Sequence, residues 1–262
     1  MDETLERRLG EAGVDPARID NPSEAWKRLF DEFGLDATLI DRYAIEAAYR
    51  DMMPSQLSEA DRQRLGEEVL VARYPGLELI GSPSGDPVKV VAYDGRWPGV
   101  FASWRKLLSG ALGRAALAIE HIGSTAVPDL AAKPIVDIQV AVHDVAAEAT
   151  YVAAIESTGV PLRSREPDRR YFRPASGSPR VVQIHVCAAG GEWERVHLLF
   201  RDYLRTHAQI RGVYAALKLE LADRYRGDRL AYNEAKTGFI LDAIRSADEW
   251  AKRTGWAVEQ AR

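Results

Sequence analysis

The 262-residue chain has one cysteine, Cys187, so it can form no internal disulfide and no thiolate cage for zinc. Cys187 closes the alternating run VVQIHVC and reads as core packing rather than as a nucleophile. No stretch of about 18 apolar residues occurs, so no membrane-spanning helix is expected. The first residues, MDETLERRLGEAG, are charged where a secretory signal needs apolar side chains. A cytoplasmic protein without a membrane partner follows as the expectation. No Lys/Arg block is long enough to form a DNA-binding stripe, so DNA is not expected as a partner. No repeat period is visible, and only GSPSGD at 81–86 approaches low complexity.

What is present suits a globular protein with a sizeable core: 46% of residues are hydrophobic and 28% charged. The length fits one large domain, or one ordinary domain with an accessory piece. The net charge of −4 hides an asymmetry. Residues 1–86 carry 10 Lys+Arg against 19 Asp+Glu, a balance of −9, which leaves +5 for the remainder. A mildly basic C-terminal part suits an anionic small molecule such as a nucleotide.

The N-terminal part reads as helical. Asn21-Pro22-Ser23 caps a short amphipathic helix that ends at Gly34, a second helix runs from Asp36 to Met53, and a third opens at Ser58. We place a helical accessory domain at 1–80, a linker at 81–87 and the main domain at 88–262. In the main domain, Val88–Tyr93, Leu117–Ile122, Pro134–Val142 and Val181–Cys187 read as strands, and Trp97–Leu112 and Val145–Ser157 as helices. From Trp193 onward the pattern is helical, through Leu204, Tyr214–Leu221 and Glu234–Trp250. The sum is α+β, a small mixed sheet carrying helices.

Glu120 to Val140, EHIGSTAVPDLAAKPIVDIQV, is the most informative stretch. Gly123 lets backbone approach an anion, Ser124 and Thr125 supply hydroxyls, and the following turn offers N–H groups, together a phosphate cradle. Asp137 lies in the next strand with Gln139 on the same face. Its carboxylate could hold Mg²⁺ bridging to triphosphate oxygens. The plain alternative is an ordinary turn between strands and an edge or capping aspartate.

YDGRWPGVF, IEHIGSTAVPDLAAKPIVDIQV, RDYLRTH, YAALKLELA and YNEAKTGFI together resemble the GrpB-like family, over about residues 88–255. The resemblance implies the fold of the polymerase β type nucleotidyltransferase superfamily. Similar domains fused to dephospho-coenzyme-A kinases point towards nucleotide or coenzyme-A metabolism.

Carried over residue by residue, the superfamily pattern matches Gly123, Ser124 and the first metal carboxylate, Asp137. Gln139 stands where the second carboxylate belongs, and the same-face positions of VVQIHV are Gln183 and His185 rather than acids. His185 with Asp137 would favour Mn²⁺ or Zn²⁺ over Mg²⁺, or it is a hydrogen-bonded strand histidine. His121 either contacts phosphate as acid or base or pins the turn. Glu120, on the opposite face from His121, is an extra metal ligand or a surface charge. Lys133 is a candidate for neutralising a triphosphate. Arg201 and Arg205 share one helical face and could clamp phosphates, with Lys218 and Lys236 as further phosphate contacts. Tyr203, Leu204, Tyr214 and Phe239 read as core, and His143 and His197 have no defensible partner.

The expected function is nucleotidyl transfer from a nucleoside triphosphate, with Mg²⁺ or Mn²⁺, to an unknown small-molecule or protein acceptor. The competing expectation is a non-catalytic nucleotide- or coenzyme-A-binding module. A third makes residues 1–86 an acidic partner-binding domain.

Overall fold

Proline and glycine bracket the first helix of the main domain. α1 (Trp97–Leu112) carries Pro98 in its first turn and stops at Gly113, whose φ is 52°. Trp97, Phe101, Trp104, Leu108 and Leu112 recur at three-to-four spacing and turn inward. The computed structural model describes residues 78–80, 87–175 and 177–258. The helices expected between 21 and 72, and the linker at 81–86, lie outside the described residues.

The described strands form one mixed sheet in the order β1-β4-β5-β6-β3-β2. They are β1 (Glu78–Leu79), β2 (Ala118–Ile122), β3 (Val136–Val142), β4 (Leu162–Glu166), β5 (Arg169–Phe172) and β6 (Val182–Ala188). β3 and β6 pair in parallel and all other neighbours are antiparallel. Val136, Ile138, Val140 and Val142 of β3 join Ile184, Val186 and Phe172 on one face, where α1 and the short α2 (Val152–Glu156) cover them. The other face of β3 carries Asp137 and Gln139. On that side stand α3 (Glu192–Thr206), α4 (Ala208–Arg224), α5 (Arg229–Ala235) and α6 (Thr237–Thr254). These helices pack through Leu204 with Tyr214 and through Leu199 with Ala247. No described helix is long and apolar enough to cross a membrane.

Five local readings need correction. Val88–Tyr93 is not a strand: Val91 makes an isolated bridge with Ala132, while Val88 packs on Leu221 and Tyr232. Helix packing, rather than sheet pairing, absorbs that β-branched run. Val145–Ser157 is not one helix, because Tyr151, at φ −142°, interrupts it and donates its hydroxyl to the Val145 carbonyl at 2.5 Å. The hairpin of β4 and β5, turning at Pro167-Asp168, was hidden by its arginines and glutamates. Arg165 and Arg170 both reach Glu148, at 2.8 and 2.5 Å, and Arg165 also reaches Glu78 at 3.0 Å. Ion pairs therefore satisfy charges that alternation alone would have placed in solvent. Glu78–Leu79 joins the same sheet from the N-terminal side of the boundary read at residue 81. The helix read at Glu234–Trp250 begins inside α5, and Lys236 separates α5 from α6.

Candidate functional site

The site is organised around the turn that follows β2. Gly123 has φ 69° and ψ −170°, a region only glycine enters readily, and Ser124–Ala126 makes one 3₁₀ turn. A Cβ at Gly123 would lie 2.5 Å from Asp137 Oδ2 and 3.1 Å from Asp137 Cβ. The turn is also fixed from the side facing α1. Thr125 Oγ1 donates to the Ile135 carbonyl at 3.2 Å, so it accepts from His121 Nε2–H at 3.0 Å. His121 stacks on Phe101 with centroids 4.8 Å apart, and burial pushes its pKa down to about 4. It pairs across the strands with Ile138, on the opposite face from Asp137. The structure therefore does not bring His121 to the cradle's open side; it holds the turn as a neutral donor.

On that open side lies a cleft of about 1040 Å³. Ser124, Thr125, Lys133, Asp137, His185, Lys218 and Lys236 line it, so seven of the residues singled out in the sequence meet there. Register explains the sheet's contribution, because Asp137 stands opposite Gln183 and His185 opposite Tyr171. His185 Nε2 is 3.6 Å from Asp137 Oδ1. The Gln183 amide donates to Asp137 Oδ1 at 3.1 Å and accepts from Arg180 Nη2 at 2.7 Å. Arg180 also donates to the Tyr171 hydroxyl at 2.9 Å.

Three lysines close the cleft from the helical side and from the loop before β3. Lys218 of α4 is 2% exposed; its Nζ donates to Ser124 Oγ at 2.9 Å and lies 4.4 Å from the Tyr214 ring centre. Lys133 and Lys236 each place Nζ 4.2 Å from the ring centre of Tyr232. None of the three is in a salt bridge among the described residues; their contacts are Ser124, Asn233 and aromatic rings. Seven Lys or Arg side chains line the cleft against two carboxylates, Asp137 and Glu166, and Glu166 is already paired with Arg169. Desolvation pushes Lys133 down to about 7, Lys218 to about 6 and Lys236 to about 8. Repulsion from Lys236 adds to the shift of the other two.

Arg201 and Arg205 do not reach this cleft. Arg201, with its side chain 11% exposed, donates to Glu120 Oε2 at 2.8 Å, to the His121 carbonyl at 3.1 Å and to Asp202. Arg205 donates to the Ala126 carbonyl at 3.0 Å. Both guanidinium groups are committed to the back of the turn, and Asp202, bonded to both, also accepts from Trp256 Nε1 at 3.1 Å. Glu120 is accordingly an ion-pair partner of Arg201. Tyr203, Leu204 and Tyr214 are buried and Phe239 packs beside Tyr214. His197 stacks on Trp193 at 3.7 Å, and His143 is exposed. Cys187 is fully buried, with its thiol pushed up to about 12. Sequence reasoning missed Arg180, Tyr171 and Tyr232, which line the cleft. Arg180, directly before the strand that carries His185, was the one with a readable signal.

For a metal, the donors are few. Asp137 and His185 converge, but no group of three or more His, Cys, Asp or Glu does so among the described residues. Gln139, at the second carboxylate position, is 1% exposed, and neither its amide oxygen nor its nitrogen has a partner. This donor set does not fit a two-metal centre, which needs carboxylates shared between the ions.

The family model described as GrpB protein matches residues 87–246. The chain belongs to the GrpB family. A relative from Streptomyces coelicolor, named a UPF0157 protein, is 41% identical over 177 residues, covering 68% of this chain and 92% of that protein. The crystal structure of the conserved protein GrpB from Enterococcus faecalis is 30% identical with a TM-score of 0.56, covering 62% of this chain and 99% of that one. A dephospho-CoA kinase of Mycolicibacterium paratuberculosis is 33% identical over 196 residues, 65% of this chain but 48% of that enzyme. The GrpB match thus contains the turn, Asp137 and all three cleft lysines.

Proposed function

We propose that the cleft binds the phosphate chain of a nucleotide or coenzyme-A-type ligand. The observation that carries this reading is the convergence of Lys133, Lys218 and Lys236 in one cleft beside the Ser124 turn, without salt-bridge partners among the described residues. Desolvated like charges are unfavourable unless an anion joins them. A phosphate chain supplies that charge, and the hydroxyl of Ser124 and the fork of Arg180 add directed hydrogen bonds. The kinship of this domain with about half of a dephospho-CoA kinase supports the choice of a nucleotide or coenzyme among phosphorylated ligands. Calorimetric titration with ATP and with coenzyme A tests it. Micromolar binding of either, weakened at least tenfold in Lys218→Met, is expected; no binding of either would overturn the reading.

A second reading, nucleotidyl transfer, is favoured by the Asp137–His185 pair beside the cradle. In it, His185 takes a proton from an acceptor hydroxyl while the lysines hold the departing pyrophosphate. Asp137 would hold one divalent ion, whose chemistry would be polarisation of the attacked phosphate; were His185 its second ligand, it could not also be the base. Pyrophosphate release from ATP in the presence of a cell extract and Mn²⁺, absent in His185→Ala, is the expected result; identical release by that variant would remove His185 from the step.

A further inference from the structure

The donors that a pair of metal ions would need are missing from the cleft, while cations stand in their place. Asp137 is the one carboxylate of the cleft outside a salt bridge to Arg or Lys, and its Oδ1 already accepts from Gln183 and faces His185. Its Oδ2 is pressed against Gly123. The neighbouring position on the same face is the amide of Gln139, neutral, buried and without a partner. An amide oxygen is a weak ligand for a hard divalent ion, and its N–H₂ end repels one. Around this point stand Lys133 and Lys236, each 4.2 Å from the ring centre of Tyr232, and Arg180, held by the same Gln183 amide that bonds Asp137. A divalent cation entering here would meet three fixed cations and one carboxylate.

We infer that the cleft takes its phosphate chain as the free anion, with Lys133, Lys218, Lys236 and Arg180 supplying the neutralisation that divalent metal supplies elsewhere. This rests on the phosphate-binding reading above and goes further by naming the species bound. It assigns Asp137 an unexpected part. Lining the same cleft as Lys133 and Lys236 without a salt bridge to either, the carboxylate adds negative charge that repels the ligand, and so weakens binding instead of anchoring it. Lysine ammonium groups, compact and able to donate in three directions, suit this role.

The experiment is a titration of inorganic triphosphate and of ATP into the full chain, in EDTA and in excess Mg²⁺, for the parent and for Asp137→Asn. The substitution keeps the side chain's shape and its acceptor for Gln183, so folding is not at stake; a melting curve on the same samples checks this. The expected result is binding in EDTA at least as tight as in Mg²⁺, and a threefold or greater tightening in Asp137→Asn. Binding that requires Mg²⁺ and is lost in Asp137→Asn would overturn the inference while leaving phosphate binding intact. Failure of both ligands to bind under either condition would overturn the inference together with the reading on which it rests.

Discussion

The carboxylate of Asp137 rests on the α-carbon of Gly123, so close that a methyl group there would meet Oδ2 at 2.5 Å. The pair couples the turn after β2 to the centre of the sheet. Gly123→Ala must both abandon a φ of 69° and displace Asp137. A cost of about 1–3 kcal/mol is expected from the backbone alone, read as a lowered Tm. Thermal melting of the variant beside the parent checks this, and an unchanged Tm would mean that the turn rebuilds freely.

Lys218→Met tests whether function and stability oppose each other in the cleft. Replacing a desolvated amine that has no counter-ion among the described residues with an apolar chain of similar length should raise Tm. The same change should weaken ATP binding at least tenfold, about 1.4 kcal/mol. A fall in Tm with unchanged affinity would make Lys218 a structural tether of Ser124.

The lysines also fix the sign of two pH dependences. Their folded pKa values, about 7 for Lys133, 6 for Lys218 and 8 for Lys236, lie below the ordinary value of 10.5, so folding expels protons. Their destabilising effect is therefore complete below about pH 6 and is relieved as pH rises through these values towards 10.5. Ligand binding runs the other way. An anion among Lys236, Lys133, Arg180 and Arg229, with Asp137 facing them, recharges the neutral lysines and takes up protons. ATP affinity should fall between about pH 7.5 and 9, where the phosphates are already fully ionised. Titration in two buffers of different ionisation enthalpy would show the uptake directly; proton release would contradict it.

Cys187 offers a probe of the core. Fully buried, with a thiol raised to about 12, it should not react with a thiol reagent in the native protein. Its labelling rate should match the unfolding rate measured by fluorescence. Rapid labelling under native conditions would reveal local opening at β6.

The parts legible in the sequence were those whose signal is local. Apolar spacing between Trp97 and Leu112 placed α1, although Val100 and Leu107, expected inward, are exposed, and the GST turn and Asp137 were readable from glycine, hydroxyl and carboxylate chemistry on neighbouring strands. What stayed hidden depends on partners far along the chain. The hairpin of β4 and β5 is held by Glu148 and Glu78, and Lys133 and Lys236 meet on Tyr232 from separate segments. Arg201 shows the limit most clearly. Its helical face was readable, but Glu120, 81 positions away, decides that its charge faces the back of the turn and not the cleft.

Four of the cleft's cations, Lys133, Arg180, Lys218 and Lys236, come from separate places in the chain: the loops before β3 and β6, the middle of α4, and the residue preceding α6. Mutual repulsion pushes those segments apart, and one bound phosphate chain would tie all four together. Such a ligand would act as a removable crosslink between the sheet and its helical layer. Slower amide exchange along α4 and α6 would then report occupancy of the cleft, whatever chemistry follows.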